Sequence, residues 1–331
     1  WLLNVAYMTL GQYPDQVPET WLIPDSALQS EYPMKQFTDI AGHIGFDFRG
    51  LSGGLVVDDF TNDGYLDILI SEWGQDDQIR FFVNNSDGSF QEQTEAANLN
   101  GLYGGLNLLQ ADYNNDGWLD VLVLRGAWLQ EHGQHPNSLL KNNGDGTFTD
   151  VTYATGVLSF HPTQTATWND FNRDGWLDLF IGNETAGRES FHPSELFLNN
   201  QDGTFREIAK EAGVAISKTG FRIDPIFVKG VTSGDYNQDG WPDLFVSGSS
   251  VSTNYLFRNN GIDQNGQLSF SDVTEQAGLG GKNSTFATWF WDYDQDGWLD
   301  IFAAGYWKGQ SGSITQDIAA EFLGLPFDAE T

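Results

Sequence analysis

Cysteine is absent from the 331 residues. That excludes disulfides, thiol nucleophiles and cysteine-ligated zinc, although it does not fix a compartment. Basic residues are scarce: 15 Lys and Arg stand against 46 Asp and Glu, for a formal net charge of −31. Such a chain repels phosphate backbones and anionic headgroups, which removes nucleic acid and charged membrane surfaces from its partners. No apolar run approaches the roughly 20 residues that span a bilayer, so this segment inserts into no membrane. Disorder is excluded as well. Only 18% of residues are charged, while 40% are hydrophobic and 14% aromatic, enough for a large core.

The acids that are present are grouped. Nine-residue segments begin at Asp59, Asp112, Asp170, Asp235 and Asp292, spaced 53 to 65 residues apart. They follow Asp-x-[Asp/Asn]-x-Asp-Gly-x-x-Asp, with Thr61 as the exception at position 3. Between them recurs a second motif, as in Asn84-Asn85-Ser-Asp-Gly-Ser-Phe90, Asn142 to Phe148, Asn199 to Phe205 and, lengthened, Asn259 to Phe270. Asp-Gly between apolar stretches predicts a hairpin. Each acidic segment lies between two short apolar runs, such as Thr165–Trp168 and Leu179–Ile181. Four short strands per unit of this length predict an all-β chain: a β-propeller of four-stranded antiparallel blades, about five units.

The acidic segments carry the chemistry. Oxygens at positions 1, 3, 5 and 9 face inward when the chain curls around a hard cation, and calcium takes 6–8 oxygens in pliable geometry. Glycine at position 6 permits the sharp turn. The candidate ligands are Asp59, Thr61, Asp63 and Asp67; Asp112, Asn114, Asp116 and Asp120; Asp170, Asn172, Asp174 and Asp178; Asp235, Asn237, Asp239 and Asp243; Asp292, Asp294, Asp296 and Asp300. About five Ca2+ ions are expected. An EF-hand is excluded, since position 12 is apolar in every copy and apolar runs rather than helices flank the loops. Thr61 makes the first loop the weakest site and Asp294 makes the fifth the strongest. The aromatics at position 7 (Tyr65, Trp118, Trp176, Trp241, Trp298) are expected to pack between blades rather than stack on sugars.

The loops and the Asn-Asn-x-Asp-Gly-x-Phe motif resemble FG-GAP/VCBS repeats, and most nearly those of the ASPIC/UnbV and cartilage-acidic-protein group, over residues 36–331. The resemblance implies a propeller, usually seven-bladed, with calcium in hairpin loops, located outside the cell, at its surface or in the periplasm. It implies binding or adhesion, with a protein or a glycan as partner. The C-terminal region that names the ASPIC/UnbV group is not in this sequence, so the resemblance rests on the repeats.

Residues 1–12 predict a short helix, read as the tail of a preceding helical segment, and a proline-rich linker runs to residue 35. Phe37–Ala41 matches a blade's fourth strand. Residues 314–322 read as a short helix or long loop, so the chain reads as five units of a propeller truncated at its C-terminus. Gly50-Leu-Ser52-Gly-Gly54 matches a nucleophile elbow in sequence but leads into a strand. Gly278–Lys282 falls short of a phosphate loop. Asn84, Asn183 and Asn283 head glycosylation sequons. Two long loops are the candidate partner-binding elements, through Arg125, Trp128, Glu131, His132 and His135 in one and Glu184, Arg188 and His192 in the other. The plainer reading is that the His-Pro pairs merely start the third strand. The rival function is a polysaccharide lyase or hydrolase using loops 125–135 and 184–192, which requires them to converge on one pocket. A third is a passive spacer in a large surface protein.

Overall fold

The computed structural model describes residues 2–29, 32, 35, 37–46, 48, 50–129, 132–185, 191–216, 227–249, 254–280 and 285–305. The chain divides into two units: residues 41–306, which hold every strand among the described residues, and residues 1–40 with 307–331. Residues 314–322 and Asn283 lie outside the described residues.

Five sheets follow one another. The first contains β1 (Ser52–Asp58), β2 (Asp67–Glu72), β3 (Arg80–Asn84) and β4 (Phe90–Glu92). The second contains β5 (Asn107–Ala111), β6 (Asp120–Leu124), β7 (Ser138–Asn142) and β8 (Phe148–Asp150). The third contains β9 (Thr163–Asn169), β10 (Asp178–Asn183), β11 (Glu195–Asn199) and β12 (Phe205–Glu207). The fourth contains β13 (Phe227–Gly234), β14 (Asp243–Ser249), β15 (Tyr255–Ile262) and β16 (Leu268–Asp272), and the fifth contains β17 (Thr285–Trp291) and β18 (Asp300–Gly305). Each is an antiparallel meander in sequence order. These are the blades of a β-propeller. Their first strands lie side by side in chain order.

The core lies between the sheets. Because side chains alternate across a strand, a middle strand feeds two interfaces. Val121 and Val123 pack with Phe60, Phe81 and Phe148 toward the first blade. Leu122 and Leu124 pack with Tyr113, Leu179 and Phe205 toward the third. Phe171, Leu244 and Val246 join the third and fourth, and Phe245, Leu256 and Ile301 join the fourth and fifth. Strands buried on both faces explain why β6, β10 and β11 read as unbroken apolar runs.

Near the first strands, glycine answers a different need. A Cβ on Gly53 would stand 2.5 Å from the Gly105 carbonyl, and one on Gly54 2.4 Å from the Leu108 nitrogen. The glycines of the Gly50–Gly54 stretch therefore let neighbouring blades touch, and Ser52 opens β1 rather than an elbow. Between blades the chain makes single helical turns, at Thr152–Thr155 and at Ala209–Ala212. The all-β expectation has no place for these turns. Gly156 and Gly213, at φ 83° and 82°, stop these turns in the left-handed conformation that closes helices.

In the other unit the expected first helix spans Leu2–Thr9 as α1. The proline-rich stretch is more ordered than a linker. Asn4 donates to the Trp21 carbonyl and accepts from the Ile23 amide, folding the stretch back onto the helix. Pro18 and Pro24 each precede a helical turn, at Glu19–Trp21 and Asp25–Leu28, where a missing N–H costs nothing. Phe37–Ala41 forms no strand, and Phe37 is fully exposed. A fourth strand needs a third beside it, and residues 1–36 contain no Asn-Asn hairpin. Among the described residues no helix is long and apolar enough to cross a membrane.

Phe171 fills the seam between the third and fourth blades. Phe171→Ala is expected to cost about 3–5 kcal/mol in urea unfolding. Tyr293→Ala, at the equivalent position but 72% exposed, is expected to cost under about 0.5 kcal/mol.

Candidate metal centres

Each acidic loop is closed by the ladder. The residue before position 1 pairs with position 9: Asp58 with Asp67, Ala111 with Asp120, Asn169 with Asp178, Gly234 with Asp243 and Trp291 with Asp300. Within the loop the carboxylate at position 1 accepts the amides of positions 5 and 6. Asp112, for example, takes those of Asp116 at 3.0 Å and Gly117 at 2.8 Å. Position 5 accepts the amide of position 7, as Asp174 does from Trp176. The loop is thus pre-folded by its own side chains.

Two positions have positive φ. Glycine at position 6 sits between 85° and 90°. A Cβ there would meet nothing within 4 Å in four of the five loops, so the angle, not space, selects glycine. Position 4 (Asn62, Asn115, Arg173, Gln238, Gln295) lies between 54° and 61°, and in the first four loops its side chain reaches the next blade. Asn62, Asn115 and Gln238 donate to the position-6 carbonyls of Gly117, Gly175 and Gly297. Arg173 instead lies over the Trp241 ring, 5.3 Å from its centroid.

Position 9 is the most constrained. Asp67, Asp120, Asp178 and Asp243 are fully buried. One oxygen of each accepts the amide of the first asparagine of the Asn-Asn motif, at 2.8–2.9 Å: Asn84, Asn142, Asn199 and Asn259. Burial, then the neighbouring carboxylates, pushes Asp120, Asp178 and Asp243 up to about 7, against the hydrogen bonds that oppose the shift. Asp67 is raised by burial too. The Oδ2 of Asp120 is buried and accepts no hydrogen bond.

The same asparagines join blades. Asn142, Asn199 and Asn259 donate through Nδ2 to the position-2 carbonyls of Phe60, Tyr113 and Phe171 in the preceding blade, at 2.8–2.9 Å.

The five loops are not equivalent. Thr61 donates through its amide and hydroxyl to Asp67 Oδ2, satisfying that carboxylate internally. In the fifth loop, oxygens of Asp292, Asp294 and Asp300 all lie within 4.8 Å of one another. The Nδ2 groups of Asn172 and Asn237 turn instead to Asp174 and Asp239, and Lys141 pairs with Asp116 at 3.1 Å. The position-7 aromatics correct one expectation. Trp118 packs over Gly144 of its own blade's Asn-Asn turn, and Trp241 lies between Gly261 of its own blade and Arg173 of the preceding one; a Cβ on either glycine would come within 2.7 Å of the indole.

The FG-GAP-like repeat profile matches residues 59–123, 127–181 and 235–303. The chain belongs to the FG-GAP-like repeat family. Cartilage acidic protein 1 of Xenopus tropicalis is 30% identical over 177 residues, which is 50% of this chain and 24% of that protein. The Homo sapiens protein matches with the same figures. The chain spans about a quarter of the length of these curated relatives. The resemblance to FG-GAP repeats and to the cartilage-acidic-protein group therefore holds. Among solved structures, the V. cholerae biofilm matrix protein Bap1 aligns at 12% identity over 68% of this chain and 40% of that one, with a TM-score of 0.31. That likeness is too slight to bear on fold or function.

Among the described residues the long loops of this FG-GAP chain meet where the Trp128 amide donates to Glu184 Oε2, and their other candidate residues lie apart. Arg125 is spent on the scaffold: its guanidinium donates to the carbonyls of Tyr103 and Pro136 and to Ser138 Oγ, and burial lowers it to about 10. His135 meets Gln75 at 3.2 Å beside a cavity of about 60 Å³, and His132 is exposed nearby. His192 is buried, its Nδ1 2.8 Å from that of His161, and burial lowers both rings, His161 to about 4. His161 borders a separate cavity of about 640 Å³ with Glu195 and Lys210. Glu184 is buried, paired with Lys229 and accepting the Trp128 amide of the other long loop. Glu131 and Arg188 lie outside the described residues. The histidines that the rival enzyme reading would use thus lie beside separate cavities, with Arg125 and Glu184 held in scaffold contacts. The Asn84 and Asn183 amides are engaged by the Leu66 and Pro193 carbonyls, which argues against both sequons.

Asn199→Ala is expected to cost about 1–3 kcal/mol in urea unfolding, since it orphans the buried Tyr113 carbonyl. Asn200→Ala, on the exposed side of the same turn, is expected to cost far less. The position-9 carboxylates also set a pH dependence. Their folded pKa values lie above the unfolded ones, so in chelator-treated protein their stabilising contribution is complete below about pH 4 and falls away as pH rises through about 7. Urea midpoints in EDTA should decline over that range. The slope should flatten in a triple variant, Asp120→Asn, Asp178→Asn and Asp243→Asn.

Proposed function

We propose that these repeats form an extracellular, calcium-stapled β-propeller module that holds a protein or glycan partner, with the metal structural. The observation that carries this reading is the buried carboxylate at position 9. Four such groups face further carboxylates of their own loops from positions where burial penalises ionisation. A divalent cation reverses that penalty, because it stabilises the ionised form and fills lone pairs that backbone amides leave open. Calcium would supply charge neutralisation and cross-linking, held by side-chain oxygens at positions 1, 3, 5 and 9. The donor set fits: every candidate ligand is an oxygen, the loops are pliable, and mixed carboxylate and amide oxygens suit calcium better than magnesium.

Sixteen of the 46 acidic residues occupy these positions, so much of the charge has a local use. Affinities of about 10⁻⁴–10⁻³ M serve extracellular calcium modules. Location outside the cell is also in keeping with the family, whose members are commonly secreted. The binding role rests on the rigid scaffold and its long loops. Nucleic acid remains excluded by charge.

The test is melting in EDTA and then in millimolar calcium. Calcium should raise Tm, as a ligand specific to the folded state must. Asp296→Ala should remove more of that calcium-dependent rise than Thr61→Ala. A Tm indifferent to calcium contradicts the reading.

A further inference from the structure

A cavity of about 360 Å³ opens where the first strands of four blades meet. Its walls come from Asn107 on β5, Gln164 on β9, Lys229 on β13 and Phe286 on β17, and its lip is Trp128, from the loop after β6. The walls are tied blade to blade. Asn107 Nδ2 donates to the Gln164 carbonyl at 3.1 Å, and Gln164 Nε2 to the Lys229 carbonyl at 3.0 Å.

Trp128 is the unusual member. It is 54% exposed and holds φ at 74°, a region that a bulky L-residue occupies only under constraint. Three contacts hold it there. Its amide donates to Glu184 Oε2 at 2.9 Å, its indole Nε1 donates to Gln164 Oε1, and the Lys229 ammonium lies 4.7 Å from its ring centroid. Phe286 meets it edge-on at 5.8 Å. A glycine here would relieve the backbone and keep the amide contact. The backbone therefore does not account for the indole.

We propose that this cavity binds a neutral sugar residue of a glycan, with Trp128 as the stacking platform. The chemistry narrows in steps. The Lys229 ammonium already takes the place that a cationic ligand would have over the indole. Glu184 neutralises that ammonium, and the chain's charge of −31 repels anionic ligands. A neutral ligand remains. The side-chain amides of Asn107 and Gln164, and the Thr288 hydroxyl, are spent on main-chain carbonyls, so the wall presents Trp128, Phe286 and Val231 as apolar surface. One edge carries Lys229, whose ammonium is paired with the buried Glu184 behind it. A pyranose matches both, with a C–H face for the indole and a rim of hydroxyls for the charged edge. The volume is at the small end of ligand pockets, about 300–1,000 Å³, and so admits a short stretch of glycan. The inference rests on the binding-module reading and narrows it.

Affinity electrophoresis of the whole chain in calcium, through gels containing dextran, mannan or galactan, tests it, with alginate as the acidic control. Retardation is expected in at least one neutral gel and not in alginate. Trp128→Gly should weaken that retardation at least tenfold while Tm stays level or rises. Phe286→Leu should weaken it in part, and Tyr153→Ala, an exposed aromatic remote from the cavity, should not. Undiminished retardation of Trp128→Gly overturns the proposal while leaving a glycan-binding module standing. Passage through every neutral gel overturns it too, and calcium-dependent melting then reports separately on the module.

Discussion

The structure depends on one buried carboxylate, repeated. Asp120, Asp178 and Asp243 each end an acidic loop, begin a middle strand and accept the amide of an asparagine on the third strand. That asparagine crosses to a carbonyl of the preceding blade. Loop, sheet and seam between sheets thus meet at a group that resists ionisation when buried. A cation in the loop would stabilise the ionised aspartate, which is also the better acceptor for the asparagine amide. Calcium would then strengthen blade packing at a distance from its own ligands, which is what a structural metal in a repeat protein has to do.

The seams obey a second constraint, closeness. Aromatic wedges at position 2 (Phe60, Tyr113, Phe171) fill the outer part of each interface, and their own carbonyls receive the asparagines. Near the first strands the backbones approach until only glycine fits. Stability is therefore shared between neighbours, as in other repeat architectures. The end sheets keep apolar side chains in solvent, Leu55 and Val57 on β1 and Trp289 and Trp291 on β17, on flanks of the kind that neighbouring blades cover elsewhere in the chain.

Much of this was legible in the sequence, because the loops and hairpins are local. Asp-x-Asn-x-Asp-Gly fixes a turn within nine residues, and apolar runs on either side fix its strands. What was not legible is long-range. Asn142 and Phe60 are 82 residues apart, so the Asn-Asn motif read as a turn signal and not as a seam. Position 4 varies among Asn, Arg and Gln, which hid its common reach to the next blade. Arg125 and His192 looked available because charge and imidazole suggest chemistry, whereas both are absorbed into the scaffold. Gln164, Lys229 and Phe286 carried no motif at all. Only the side-by-side placement of four first strands brings them to Trp128.

The most direct measurement is hydrogen exchange of the backbone amides of Asn142, Asn199 and Asn259, with and without calcium. These amides lie outside the loops but donate to the position-9 carboxylates. The account predicts that calcium slows their exchange together, along with that of the position-5 and position-6 amides. Slowing confined to the loops, or no slowing at all, would contradict a metal site built into the seam between blades.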